Sequence, residues 1–284
     1  MCRLFALTTG GPRVQASHWL LDSLTNFAQQ STRQPDGTGL GWFSLGDEPV
    51  RDRSGVAAFE NEDFIAQARN VVSHTIVSHI RYATAGEVDV HNTHPFDIND
   101  RLFAHNGCLR GAEVLDGWLT DVDKAHIEGT TDSELVFAYL SAEIRRTGDT
   151  GEGIIAAISR IAAELPVFSL NFVLAEAGRL WALRYPHSCE LWVLSPAGGG
   201  FASGTRGATE QTLEGSVPAW VIASERLDDD PDWRLLEPGE LLCIERGEAT
   251  SRHPFAPPAH LLTLDDMRGK EIPVDFEDGS KAGV

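Results

Sequence analysis

Residues 151–175 read GEGIIAAISRIAAELPVFSLNFVLA, and a change of period runs through the middle of them. Before Pro166, Ile154, Ile155, Ile158 and Ile161 recur at the spacing of one helical face. After Pro166 the chain turns to short β runs, first 167–175, then 178–185, 189–194, 219–223 and 240–246. Working back toward the N-terminus, Asp132 or Thr131 opens a second helix that runs to about Arg146. Residues 2–8 (CRLFALT) and 74–82 (HTIVSHIRY) read as buried strands, and 101–106 (RLFAHN) as a short one. A helix over 15–29 would put Trp19, Leu20, Leu24 and Phe27 on one face, and Asn61 could cap another over 62–70. The stretch 35–41 (PDGTGLG) is expected to be a loop or bulge leading into a strand at Trp42–Leu45.

The order is therefore strands, two helices, then strands. It lacks strict βαβ alternation, which argues against a doubly wound parallel sheet. An α+β fold of two stacked, mainly antiparallel sheets covered by helices fits better. No linker-like segment divides the chain. One domain is expected over residues 1–253, followed by a tail over 254–284 with several prolines and acidic residues.

Composition narrows the partners. Among 284 residues, 23 Lys+Arg face 42 Asp+Glu, a formal net charge of −19. Such a surface repels phosphate backbones and anionic lipid, so neither nucleic acid nor membrane is an expected partner. The N-terminus has no basic start followed by a long apolar run, and other apolar runs are broken by charges such as Arg160 and Glu176. A cytoplasmic location is expected. The cysteines Cys2, Cys108, Cys189 and Cys243 form no CxxC pair and share no ligand spacing with histidine. Neither a metal nor an organic cofactor is implied.

Four places could carry chemistry. Loss of Met1 would leave Cys2 with a free α-amine of pKa about 8 beside a thiol of about 8.5, a nucleophile and its base in one residue. Taken alone, an early cysteine in an apolar strand is more often a small core side chain. Arg81 ends a hydrophobic strand, where a guanidinium could grip a carboxylate bidentately or simply pair with a structural acid. Asn106-Gly107 could be an ordinary turn, or an oxyanion hole built from a side-chain amide and a backbone N–H. Asp132 could belong to a plain capped helix start, or hold a substrate ammonium. Together, a nucleophile, a cation, an oxyanion hole and an anion describe a pocket for an α-amino acid head group with an acyl carbon a few atoms away. Glutamine and γ-glutamyl amides have that shape.

The ordered set MCRLFA, HIRYAT, NTHPF, AHNG and TDSE resembles the class II glutamine amidotransferases, which are N-terminal nucleophile hydrolases, over about residues 2–225. The resemblance implies a four-layer αββα sandwich. It implies that Cys2 is the nucleophile, that Arg81 binds the substrate α-carboxylate, and that Asn106 and Gly107 form the oxyanion hole. It implies that Asp132 binds the α-amino group and that Thr84 and His94 line or support the pocket. The loop at 36–41 is similar to a mobile lid over glutamine. It departs from the Asp-Gly-Trp-Gly of stand-alone relatives, reading Asp36-Gly37-Thr38-Gly39.

The similar region takes up most of the chain and is expected to leave no room for a fused synthetase. The expected activity is hydrolysis of the γ-amide of glutamine or of a γ-glutamyl compound through a Cys2 thioester, releasing glutamate. Ala223-Ser224-Glu225 and the run Asp228–Trp233 resemble stand-alone γ-glutamyl hydrolases. The alternatives are a glutaminase subunit passing ammonia to a separate synthetase partner and, third, a non-catalytic binding subunit.

Overall fold

The computed structural model describes residues 2–82, 89–204 and 215–267. Its strands are β1 (Arg3–Thr8), β2 (Thr38–Phe43), β3 (Pro49–Ser54), β4 (Thr75–Ile80), β5 (Phe96–Ile98) and β6 (Arg101–Leu109), then β7 (Pro166–Glu176), β8 (Arg179–Leu183), β9 (Trp192–Leu194), β10 (Phe201–Ser203) and β11 (Ser216–Pro218). The series ends with β12 (Trp220–Ala223), β13 (Arg234–Leu235), β14 (Leu241–Glu245), β15 (Glu248–Arg252) and β16 (His260–Leu261). The helices are α1 (Phe27–Gln30), α2 (Glu62–Asn70), α3 (Asp121–Lys124), α4 (Asp132–Thr147), α5 (Thr150–Glu164) and α6 (Leu264–Met267).

The strands form two large sheets and a small ribbon, β10–β11. The first sheet has the order β13-β9-β12-β1-β4-β2-β3 and is antiparallel throughout. The second runs β15-β14-β8-β7-β6-β5, also antiparallel, with β16 added in parallel against the start of β7. Leu4, Ala6 and Val77 of the first sheet pack against Leu102, Ala104 and Val173 of the second. Phe5 and Leu7, on the opposite face of β1, pack with Phe27 of α1 and Phe64 of α2. On the far side of the second sheet, Phe103 and Phe172 pack with Phe137 of α4 and Ile158 of α5. The layers are therefore helix, sheet, sheet, helix, as the sequence predicts. Because β1 is covered on both faces, all six of its residues are buried, which explains why it reads as a continuous apolar run rather than an alternating one.

The switch at Pro166 is real. α5 ends at Glu164 and β7 begins at Pro166, while α4 starts behind the Thr131 cap, whose side chain accepts from Glu134 N. Three local expectations are corrected. The helix expected over 15–29 is broken into a single wide turn at His18–Asp22 and α1. Asn26 caps α1 by accepting from Gln29 N, and Leu24 lies in the break at 72% exposure. Asn106-Gly107 is no turn, since β6 continues to Leu109 with a register shift at Cys108/Leu109. The glycine-rich stretch is largely strand, because β2 begins at Thr38.

The reason for that last difference is packing across the sandwich. A Cβ on Gly39 would collide with the His94 carbonyl oxygen, and one on Gly41 would lie 2.8 Å from Pro95 Cγ. These glycines let the 94–95 segment press directly onto β2. Gly39→Ala is expected to cost about 3 kcal/mol by forcing those two segments apart, read as a lowered urea midpoint at unchanged m-value. Residues 254–267 lie against the second sheet, where Tyr185 Oη donates to Ala256 O at 2.8 Å and Leu262 is buried. Among the described residues, no helix is long and apolar enough to cross a membrane.

Candidate active site

Register brings the site together. Arg3 pairs with Ile80, so Cys2, just before β1, arrives beside Arg81 and Tyr82, just after β4. The Tyr82 backbone N–H donates to Cys2 Sγ at 3.2 Å, and Sγ is 3.4 Å from the Tyr82 carbonyl oxygen. The neighbouring Arg81 N–H donates to Gly37 O at 2.8 Å, which places the glycine loop at the same spot. From the facing sheet, β6 contributes Asn106, whose Nδ2 donates to Cys2 O at 3.0 Å. The nucleophile candidate and the oxyanion candidate thus meet across the sandwich, 104 residues apart in sequence.

Asn106 is held from several sides. Ser169 Oγ donates to its carbonyl oxygen at 3.0 Å, and its side-chain Oδ1 is 3.0 Å from His79 Nε2 on β4. Asn171, its partner in the β6–β7 ladder, donates to the carbonyls of Cys189 and Glu190 and accepts from Tyr185 N. Gly107 follows Asn106 in β6, and a Cβ there would collide with the His105 ring. His105 points to the opposite face from Asn106, where Nδ1 is 3.0 Å from Ser133 Oγ on α4. Adjacent residues of a strand face opposite ways, and β6 is still a strand there.

Asp132 opens α4, and the Leu109 and Ser133 backbone N–H groups hydrogen-bond its carboxylate, which anchors the helix start to the end of β6. Burial nevertheless raises the Asp132 carboxyl above its usual range, against those bonds. Burial, reinforced by the Asp132 charge, pushes the nearby Cys108 thiol up to about 12. The loop before α4 is pinned as well. Glu134 accepts from the N–H groups of Glu128 and Gly129 at 2.9 and 2.8 Å, and Asn92 Oδ1 accepts from Thr130 N at 2.8 Å.

His94 packs between His79 and Phe96. It is 5% exposed, with its ring 4.2 Å from that of His79 and 4.4 Å from that of Phe96. Thr84 lies outside the described residues. Among the described residues no group of three or more His, Cys, Asp or Glu side chains is arranged to hold a metal ion.

The protonation states follow from burial. The Cys2 thiol lies above its ordinary value because it is buried, partly offset by the Tyr82 hydrogen bond and the Arg81 and Arg3 charges. Burial lowers His79 to about 3, against the pull of Asn106 and the His105 backbone. His105 falls to about 3 and His94 lies well below its usual range, both chiefly through burial. Arg81 is lowered by burial, while Cys2, Asp36 and Asp89 pull it back up. At neutral pH the resting site is a neutral thiol, three neutral imidazoles and a guanidinium.

Sequence reasoning finds Cys2, Arg81, Asn106 and Gly107, which the fold brings to one place, and Asp132, tied in through Leu109. It misses His79, Ser133 and Asn171. A signal for His79 exists in the sequence. It is a polar residue at an inward position of a buried strand, and such a group needs a partner.

Known proteins share this arrangement of segments. The profile of the glutamine amidotransferases class-II matches residues 1–263. The Methanocaldococcus jannaschii protein MJ1515 is 34% identical over 136 residues, which are 44% of this chain and 35% of that one. YafJ of Escherichia coli is 30% identical over 195 residues, 63% of this chain and 74% of that one. The match thus spans only about a third of MJ1515 but nearly three quarters of YafJ. A glutamine aminotransferase class-II domain protein from Silicibacter pomeroyi shares the fold, with a TM-score of 0.64 over 90% of this chain and 100% of that one at 24% identity. The family match runs from the first strand to the end of the second sheet, through every segment that builds the site, and the chain belongs to the class-II glutamine amidotransferases.

Proposed function

We propose that this chain hydrolyses the γ-amide of glutamine or of a γ-glutamyl compound through a γ-glutamyl thioester on Cys2, releasing glutamate. The observation that carries the reading is the meeting of Cys2 and the Asn106 amide across the two sheets, with Nδ2 3.0 Å from Cys2 O. An amide donor held beside a thiol is what acyl transfer needs, since negative charge develops on the carbonyl oxygen as sulfur attacks.

The raised thiol must lose its proton to react. The three nearby histidines are poor acceptors because burial disfavours their charged forms. Excision of Met1 supplies a better base, the α-amine of Cys2 itself. The amine takes the thiol proton, Sγ attacks the γ-carbonyl, and the oxyanion rests on Asn106 Nδ2–H and the Gly107 N–H. The amine then passes the proton to the departing nitrogen as the C–N bond breaks. Water adds to the thioester, freeing glutamate and restoring the thiol. Arg81 holds the substrate α-carboxylate and Asp132 the α-ammonium. A carboxylate that burial leaves reluctant to ionise gains most from an arriving ammonium.

The test is glutamate release by the protein alone from glutamine and from a panel of γ-glutamyl peptides, with intact mass measured on the active material. Release from peptides marks a γ-glutamyl hydrolase. Weak release from glutamine that rises with a co-purifying protein marks an ammonia-donating subunit. Active material with Met1 retained contradicts the amine as base, and no release together with no labelling of Cys2 by a glutamine-analogue electrophile contradicts the proposal.

A further inference from the structure

We propose that His79 is the positioning residue of the oxyanion hole, its Nε2–H locking the Asn106 amide in the orientation that turns Nδ2 toward Cys2. This rests on the hydrolytic reading above.

A carboxamide is nearly symmetric in shape. Its two orientations fit one cavity but are opposite in chemistry, one presenting a donor and the other an acceptor. An oxyanion hole works only in the first. Here the orientation follows from the partners. The Cys2 carbonyl oxygen can only accept, so the Asn106 atom 3.0 Å from it is the N–H donor. Oδ1 therefore faces His79 Nε2 at 3.0 Å, and Nε2 must carry the proton. The reversed amide would set oxygen against the Cys2 carbonyl and N–H against a protonated nitrogen, losing both bonds at once.

His79 is suited to be a fixed donor. It is fully buried, in β4 opposite Leu4 of β1. Its other nitrogen, Nδ1, has no hydrogen-bond partner among the described residues, and the polar groups that orient the ring, Asn106 Oδ1 and the His105 backbone, both come from β6. The His94 ring packs on it at 4.2 Å and is itself brought there by the close approach of the 94–95 segment to Gly39. Burial keeps the ring neutral, so it adds no positive charge beside Arg81. With Nε2 committed to Asn106, His79 acts through that amide and does not reach the reacting atoms.

Two measurements test this. In steady-state assays, His79→Met removes the donor and His79→Gln keeps one at the same reach. The expected result is a kcat lowered about 10²-fold in His79→Met at unchanged KM, since a lost oxyanion contact is a transition-state loss. His79→Gln should recover most of it, and His79→Met added to Asn106→Ala should cost nothing further. Equal losses in the Met and Gln variants, or a change confined to KM, would overturn the assignment. The second measurement needs no variant. Long-range 1H–15N spectra of histidine-labelled wild type should show His79 neutral and protonated on Nε2 at neutral pH, and an Nδ1–H tautomer or an imidazolium would overturn it. If the hydrolytic reading itself fails, wild type releases no glutamate while the His79 tautomer stays as expected, so the two failures look different.

Discussion

Cys2→Ala is expected to reduce glutamate release to background, a loss of at least about 10⁴-fold, while the protein keeps its fold. No other described thiol can stand in. Cys108 is pushed up to about 12 and Cys243 to about 11, and Cys189 is raised as well, each chiefly by burial. Burial raises Cys2 too, so the distinction lies in the surroundings: the N–H of Tyr82 and the side-chain amide of Asn106 meet Cys2, and on the proposed reading Cys2 alone carries an α-amine to take its proton. The fold should hold because Cys2 precedes the β1 ladder, so alanine removes two sulfur contacts with the Tyr82 backbone and no strand pairing. Glutamate release and a thermal melt of the same preparation check both halves. A variant that folds and still turns over would remove Cys2 from the reaction.

Asn106→Ala is expected to lower kcat by about 10²–10³-fold, equivalent to roughly 2.7–4 kcal/mol of transition-state stabilisation. KM for glutamine should stay near the wild-type value, because on the proposed reading Arg81 and Asp132, not Asn106, hold the head group. The variant also leaves His79 Nε2–H and the Cys2 carbonyl without their shared partner. A stability loss of about 1–3 kcal/mol is the expected accompaniment. Steady-state kinetics at saturating glutamine separate the two effects, since the folded fraction can be fixed by a melt beforehand. A kcat within a few-fold of wild type in folded protein would show that the oxyanion is held elsewhere.

Much of the architecture and of the site is legible in the residues themselves. The change of period at Pro166 and the β-branched run at 74–82 give the layers, because strands buried on both faces and helices with one apolar stripe have distinct spacings. Cys2, Arg81, Asn106 and Asp132 stand out because a charge or amide at the end of a buried strand or the start of a helix needs a purpose. What is not legible depends on contacts across the sandwich. Gly39 and Gly41 look like loop glycines until the 94–95 segment is seen pressed onto them. Likewise His79 is one more histidine until β6 brings Asn106 to its Nε2, 27 residues further along the chain. Leu24 fits a helical stripe, yet the Asn26 cap restarts the helix and turns it outward. Local spacing reports a residue's own element and is silent about what a distant strand lays against it.

The pairing of β1 has a consequence for how the protein comes into being. Its two neighbours are β4 and β12, with Phe5 opposite Ala223 on one side and Ser78 on the other. A nascent chain leaving the ribosome therefore carries β1 half-paired until Trp220–Ala223 has been made. Pairings of such long reach close slowly. Ribosome-bound fragments ending before β12 should thus carry Cys2 with no hydrolytic power, and activity should switch on as a single late event in synthesis.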